Sequence, residues 1–97
     1  MSVHRDFSFE QDLMESLKDP TEAAHYIDAV FDLDDPATML LALRQVARAH
    51  GMAEVARRAS VGEKTLFKSL NENGNPTLLT LTKVLQAVGL RLRVTAA

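Results

Sequence analysis

The sequence predicts an all-α bundle of short helices organised around a helix-turn-helix, with extra helices before it and one short β-strand after it. Three observations carry this reading. Apolar residues recur at steps of three and four through most of the chain, Asp-Pro pairs and glycines punctuate the segments, and the run Met52 to Leu70 has the spacing of two short helices joined by a tight turn.

A first helix is expected over about Phe9 to Leu17, presenting Leu13, Met14 and Leu17. Asp19-Pro20 opens the second, because proline fits the first helical turn and the preceding Asp can accept its free N–H groups. That helix runs to about Leu33 with Ala23, Ala24, Ile27, Val30 and Phe31 as its apolar stripe. Asp35-Pro36 opens the third, which runs to about His50 and buries Met39, Leu40, Leu43, Val46 and Ala47, with Arg44 and Arg48 sharing another face. Gly51, tolerant of positive φ, ends it.

In the stretch that follows, Met52, Val55, Ala56 and Ala59 fall on one side of a helix and Glu54, Arg57 and Arg58 look outward. Ala56 is small enough to let a second helix approach, Ser60 and Val61 form the turn, and Leu66 anchors the second helix. Leu66 and Leu70 share its inner face, with Phe67 at the border. Lys64, Thr65, Lys68 and Asn71 are left together on the opposite face, where they could enter a major groove. The same apolar spacing would suit any pair of amphipathic helices in a small bundle, so the charge distribution is needed as context.

The cluster NENGNPT forbids helix continuation, and Thr77 can cap a last helix whose Leu78, Leu81, Val84, Leu85 and Val88 face inward until Gly89 stops it. Leu90 to Thr95 alternates apolar and charged residues, the period of a half-buried strand. Such a strand must pair with an extended Ser2 to Phe9 or with the same strand of a second subunit. The organisation is one domain over residues 1–97: an acidic helical part over 1–35, a helix-turn-helix bundle over 36–89 and a strand over 90–95.

The net charge of −2 is the sum of two opposed halves. Residues 1–42 carry ten acids against Arg5 and Lys18, a net −8, whereas residues 43–97 carry nine bases against Glu54, Glu63 and Glu72, a net +6. The basic half contains the helix-turn-helix, the asymmetry expected of a nucleic-acid-binding face. Cysteine is absent, which excludes disulfides, a thiolate nucleophile and a Cys-based zinc site. No apolar run approaches the roughly 20 residues that cross a bilayer, and MSVHRDFSFEQD lacks the apolar core of a signal peptide. A cytoplasmic protein is expected.

DNA binding requires contacts that hold phosphates and contacts that read bases. Lys64, Thr65 and Lys68 are the groove candidates, since lysine can donate to guanine O6 and N7 and the threonine methyl can touch a thymine methyl. Glu63 can accept from cytosine N4 or favour the helix N-terminus through the dipole. Arg57, Arg58, Asn73 and the helix start at Thr77 are phosphate candidates, and Asn71 is read as a cap or turn residue. Catalysis finds no support, so no enzyme activity, metal or cofactor is expected. His4, His25 and His50 form no metal-binding unit, Asp32, Asp34 and Asp35 lack the spacing of a calcium loop, and Gly74-Asn75-Pro76 is no phosphate-cradling loop.

The order GMAEVARRASVGEKTLFKSL followed by NGNPTLLTLTKVLQAVGLRLRV resembles the HigA-like addiction-module antidote proteins, antitoxins of the Xre/lambda-repressor-like helix-turn-helix superfamily. The resemblance is close from about Ala42 to Val94, and its most specific part is the GNPT-x-x-T-x-x-K-V-L-x-A-x-GL-x-L-x-V run, Gly74 to Val94. The N-terminal part agrees in outline at Phe7 to Leu13 and at Ala24 to Ile27. Two departures are Ser60, where such turns often carry Gly, and Gly62, where Ser or Thr often caps the second helix. The resemblance implies a lambda-repressor-like bundle that neutralises a RelE/HigB-like ribonuclease toxin and represses its own operon by binding a palindromic operator as a homodimer. Leu85, Val88, Leu90, Leu92 and Val94 are the expected dimer residues. The acidic N-terminal surface, with Asp6, Phe7, Glu10, Asp12 and Glu15, would attract a basic toxin. The competing readings are a stand-alone or phage-derived repressor with no toxin partner, and an interaction module that has lost DNA binding.

Overall fold

Proline and aspartate place the helix starts as their chemistry requires. In a computed structural model, which describes the backbone of residues 2–97 and the side chains from Phe9 onward, Pro20 opens α2 (Pro20–Phe31) and the Thr21 N–H donates to Asp19 Oδ1 at 3.0 Å. Pro36 opens α3 (Pro36–His50), where the Asp35 carboxylate accepts from the Thr38 hydroxyl instead of a backbone N–H. These follow α1 (Ser2–Ser16) and precede α4 (Met52–Ala59), α5 (Glu63–Leu70) and α6 (Leu78–Ala87).

Helix α3 is the hub, packing against α1, α2, α4 and α5, while α6 closes on α4. Its Leu40, Leu43, Val46 and Ala47 join Leu17, Ala23, Ile27, Val55, Ala56, Ala59, Leu66, Leu70, Val84, Leu85, Ala87 and Val88 in one core. Among the described residues no polar side chain is buried, so the fold rests on apolar packing, with polar links only at its margin. The Tyr26 hydroxyl donates to Gln45 Oε1 at 2.5 Å, tying α2 to α3. His50 Nε2 lies 3.2 Å from the Leu17 carbonyl, tying the end of α3 to the end of α1.

The expected C-terminal strand is absent: among the described residues there are six helices and no strand. A strand needs a partner for its N–H and C=O groups, and Ser2 to Phe9, the partner available within the chain, is wound into α1. That helix starts well before the Phe9 expected for it. The tail turns off α6 through Gly89 at φ 83°, the Leu90 N–H donates to the Leu85 carbonyl at 2.8 Å, and Leu90 packs on the core. Beyond it Leu92 is 46% and Val94 91% exposed, so the alternation leads to no ladder. Two helical residues expected inside also face outward, Ala24 on α2 and Leu78, 68% exposed at the start of α6.

Two backbone positions yield opposite stability predictions. A Cβ on Gly74 would lie 2.1 Å from the Ser69 carbonyl oxygen and 2.7 Å from that of Lys68, so Gly74→Ala must push the loop off the end of α5. Chemical denaturation should read a loss of about 2 kcal/mol, in the range of overpacking substitutions. Ser60 has φ 58°, the left-handed region that costs a non-glycine residue on the order of 1 kcal/mol. Ser60→Gly should therefore raise stability by up to about 1 kcal/mol, part of the gain being offset by the greater freedom of glycine when unfolded.

Candidate nucleic-acid interface

The turn between α4 and α5 is built from hydrogen bonds that need a left-handed residue at its centre. Ser60 supplies it, the Val61 N–H reaches back to the Ala56 carbonyl at 3.0 Å, and the Ser60 N–H to that of Arg57 at 3.2 Å. This closure satisfies the last carbonyls of α4 and lets Val61 pack against the core. Gly62 then caps α5 in extended conformation without a side-chain bond, consistent with its lack of a hydroxyl.

Leu66 and Leu70 are completely buried, which fixes the rotation of α5 about its axis. Lys64, Thr65 and Lys68 consequently emerge together on the outer face, and Glu63 is exposed in the first turn. The C-terminal end of the helix is held from two sides. Arg44 on α3 donates from Nη1 to the Leu70 carbonyl at 2.9 Å. The loop packs Gly74 against the carbonyls of Lys68 and Ser69, its N–H donating to Asn71 at 2.8 Å. Asn71 caps this end, its Oδ1 accepting from the Asn73 N–H at 2.8 Å.

The phosphate candidates are more constrained than their sequence positions suggest. Glu54 accepts from Arg57 Nε at 3.0 Å and Nη2 at 2.5 Å, and from Arg58 Nε at 2.8 Å. Arg58 also donates to the Ala87 carbonyl at 3.3 Å, which ties α4 to the end of α6. Hydrogen bonding from Arg57, reinforced by Arg58 and by both positive charges, draws the Glu54 carboxyl down from its ordinary value to about 2. The same pairing raises Arg57. The Thr77 hydroxyl accepts from the Thr80 N–H at 3.1 Å and contacts the Thr80 hydroxyl, so it serves α6 as an N-cap. Asn73 is exposed in the loop.

The remaining expected sites divide. Leu85 and Val88, expected at a dimer surface, are enclosed in this chain's own core, while Leu90 is half-buried and Leu92 and Val94 are exposed. Glu10, Asp12 and Glu15 are exposed on α1, Glu15 pairing with Lys18 at 3.3 Å. The side chains of Asp6 and Phe7 lie outside the described residues. Sequence reasoning missed two residues. Glu54 as a double acceptor was legible in its i+3 and i+4 arginines, whereas the Arg44 contact with the end of α5 spans 26 positions and leaves no local signal.

Residues 8–96 match the family model described as "Probable addiction module antidote protein". The chain belongs to this antidote family. An uncharacterized protein of Haemophilus influenzae is 35% identical over 83 residues, covering 86% of this chain and 86% of its own. No solved structure matches the chain significantly. Membership gives the protein an antitoxin role in an addiction module, and with it a toxin partner. Among the described residues no helix is long and apolar enough to cross a membrane.

The arginine clamp makes a prediction about pH. Because the folded pKa of Glu54 lies below its ordinary value, the pairing contributes stability above about 4.5 that is lost as pH falls through about 2. Carboxyl-carbon NMR should place the Glu54 midpoint near 2, and Glu54→Gln should flatten stability over that interval. A midpoint near 4.5 would show that the clamp does not persist in solution.

Proposed function

We propose that this antidote is a lambda-repressor-like autorepressor of the HigA kind. It neutralises a RelE/HigB-like ribonuclease toxin and binds its own operator as a homodimer, with α5 in the major groove. It works by binding rather than by catalysis, in the cytoplasm. The observation that carries the DNA part is the presentation of α5: an eight-residue helix anchored by Leu66 and Leu70, with Lys64, Thr65 and Lys68 grouped on its free face. Arg57, on the adjoining helix and paired with Glu54, would reach phosphate by exchanging one carboxylate for another anion.

The toxin part is supported by family membership and by charge. Ribonucleases that act on polyanionic RNA carry cationic surfaces, and Glu10, Asp12 and Glu15 offer them an exposed acidic helix. The exposed tail residues Leu92 and Val94 remain available for a homodimer after Leu85 and Val88 are assigned to the core.

Co-expression of the tagged chain with the neighbouring open reading frame should yield a stable complex and rescue growth. For DNA, titration with a duplex from immediately upstream of the gene should show log K falling with log salt at a slope near about −5, for about six phosphates. Lys64→Ala and Lys68→Ala should each weaken binding by about 1–3 kcal/mol if they contact base edges, or lower the slope by about 1 if they contact phosphate. Affinity insensitive to salt would refute the repressor reading and leave the antidote role intact.

A further inference from the structure

Between the lysines of α5 lies a feature that cations do not explain. Phe67 is 48% exposed, although a phenyl ring gains by burial. It borders an open hollow walled by Met52, Glu63, Lys64, Phe67 and Lys68. Three of these five residues are charged, yet the surface of the hollow is mainly carbon, as expected where lysine stems lie along apolar neighbours and their ammonium groups reach outward.

We propose that Phe67 is a specificity-determining residue that receives the C5-methyl group of a thymine, so that the protein reads thymine at one position of each half-site. The inference rests on the DNA-binding reading of α5 and extends it to a residue that reading leaves out. Flanking cations favour a polyanion, and the groups that base edges expose in the major groove are hydrogen-bond donors and acceptors, with one exception. That exception is the thymine methyl. An apolar hollow between Lys64 and Lys68 matches this group in both respects: the cations hold the backbone or a guanine, and Phe67 with Met52 supplies the carbon surface. The free face and its border then divide the work, Lys64 and Lys68 by charge and Phe67 by shape.

The test compares two duplexes carrying the DNA immediately upstream of the gene, one with thymine and one with uracil at every thymine position, which removes only the methyl groups. Wild-type protein should prefer the thymine duplex by about fourfold for each methyl it covers, the effect of burying one methyl-sized group. Phe67→Ala should bind the thymine duplex more weakly and lose most of the preference, while Phe67→Leu should retain part of it. Thr65→Ser controls for the other methyl on this face, and far-UV circular dichroism melts confirm that each variant folds. Salt-dependent wild-type binding with no thymine preference, or a preference that Phe67→Ala leaves unchanged, would overturn the inference while sparing the DNA-binding reading. Absence of salt-dependent wild-type binding would overturn both. Loss of toxin co-purification in Phe67→Ala with unaltered DNA binding would assign the ring to a protein interface and overturn the inference.

Discussion

Helix α5 has eight residues, too few to be stable by itself in water, where isolated helices below about 12 residues are marginal even with good helix formers. Its existence therefore depends on burial, and the burial is concentrated in Leu66 and Leu70, both fully enclosed. The same two contacts that make the helix possible also fix its azimuth, so its stability and its presentation of Lys64, Thr65 and Lys68 share one cause. A change that loosens Leu66 would cost packing energy and would also rotate Lys64, Thr65 and Lys68 out of register. Arg44 at the Leu70 carbonyl and Gly74 beneath Ser69 act on the far end of the helix, where its last carbonyls need partners.

Charge on α4 follows a different logic. Glu54 binds two arginines at once, leaving a local net charge of +1 where the sequence alone suggests a fully available basic pair. Exposed pairs of this kind contribute little to stability, because water screens them and ordering long side chains costs entropy. The geometric effect is larger than the energetic one: Arg58 is committed to α6 through the Ala87 carbonyl, and Arg57 is paired with Glu54 on its own helix. A phosphate approaching α4 meets a competitor already in place.

What the sequence made legible was local. Pro20, Pro36, Gly51 and Gly89 mark helix ends because their backbone preferences act within one or two residues, and the 3.6-residue period exposes Leu66 and Leu70 as one face. Family-level resemblance likewise came from a contiguous run, Gly74 to Val94. The strand expectation fails on a partner that a linear reading cannot see. Leu90 to Val94 alternates like a strand, but a strand is a property of two segments, and the internal partner named for it, Ser2 to Phe9, is helix. Periodicity turns Leu85 and Val88 inward and the family resemblance gives them to a dimer; within this chain α6 lies on α4 and both side chains are buried in the core. Phe67 was placed at the border of the buried face by its angle, and only the structure shows how much of the ring remains open.

The acidic and basic halves of the sequence do not occupy opposite poles of the molecule. Glu10 and Met14 of α1 and Phe67 and Asn71 of α5 line one groove, with Arg44 and Arg48 of α3 between them. On the proposed repressor reading, DNA laid on α5 would meet the Glu10 carboxylate at the edge of its footprint, where repulsion is screened only beyond a Debye length of about 8 Å at physiological salt. A cationic protein confined to α1 removes that repulsion and favours the DNA complex. One that crosses the groove to reach Phe67 would occupy part of the proposed recognition face and exclude DNA. The two effects have opposite signs, and the boundary between them is the groove itself. In the proposed repressor, how far a toxin's footprint extends past Met14 would then decide whether it strengthens or releases repression, a question of shape more than of affinity.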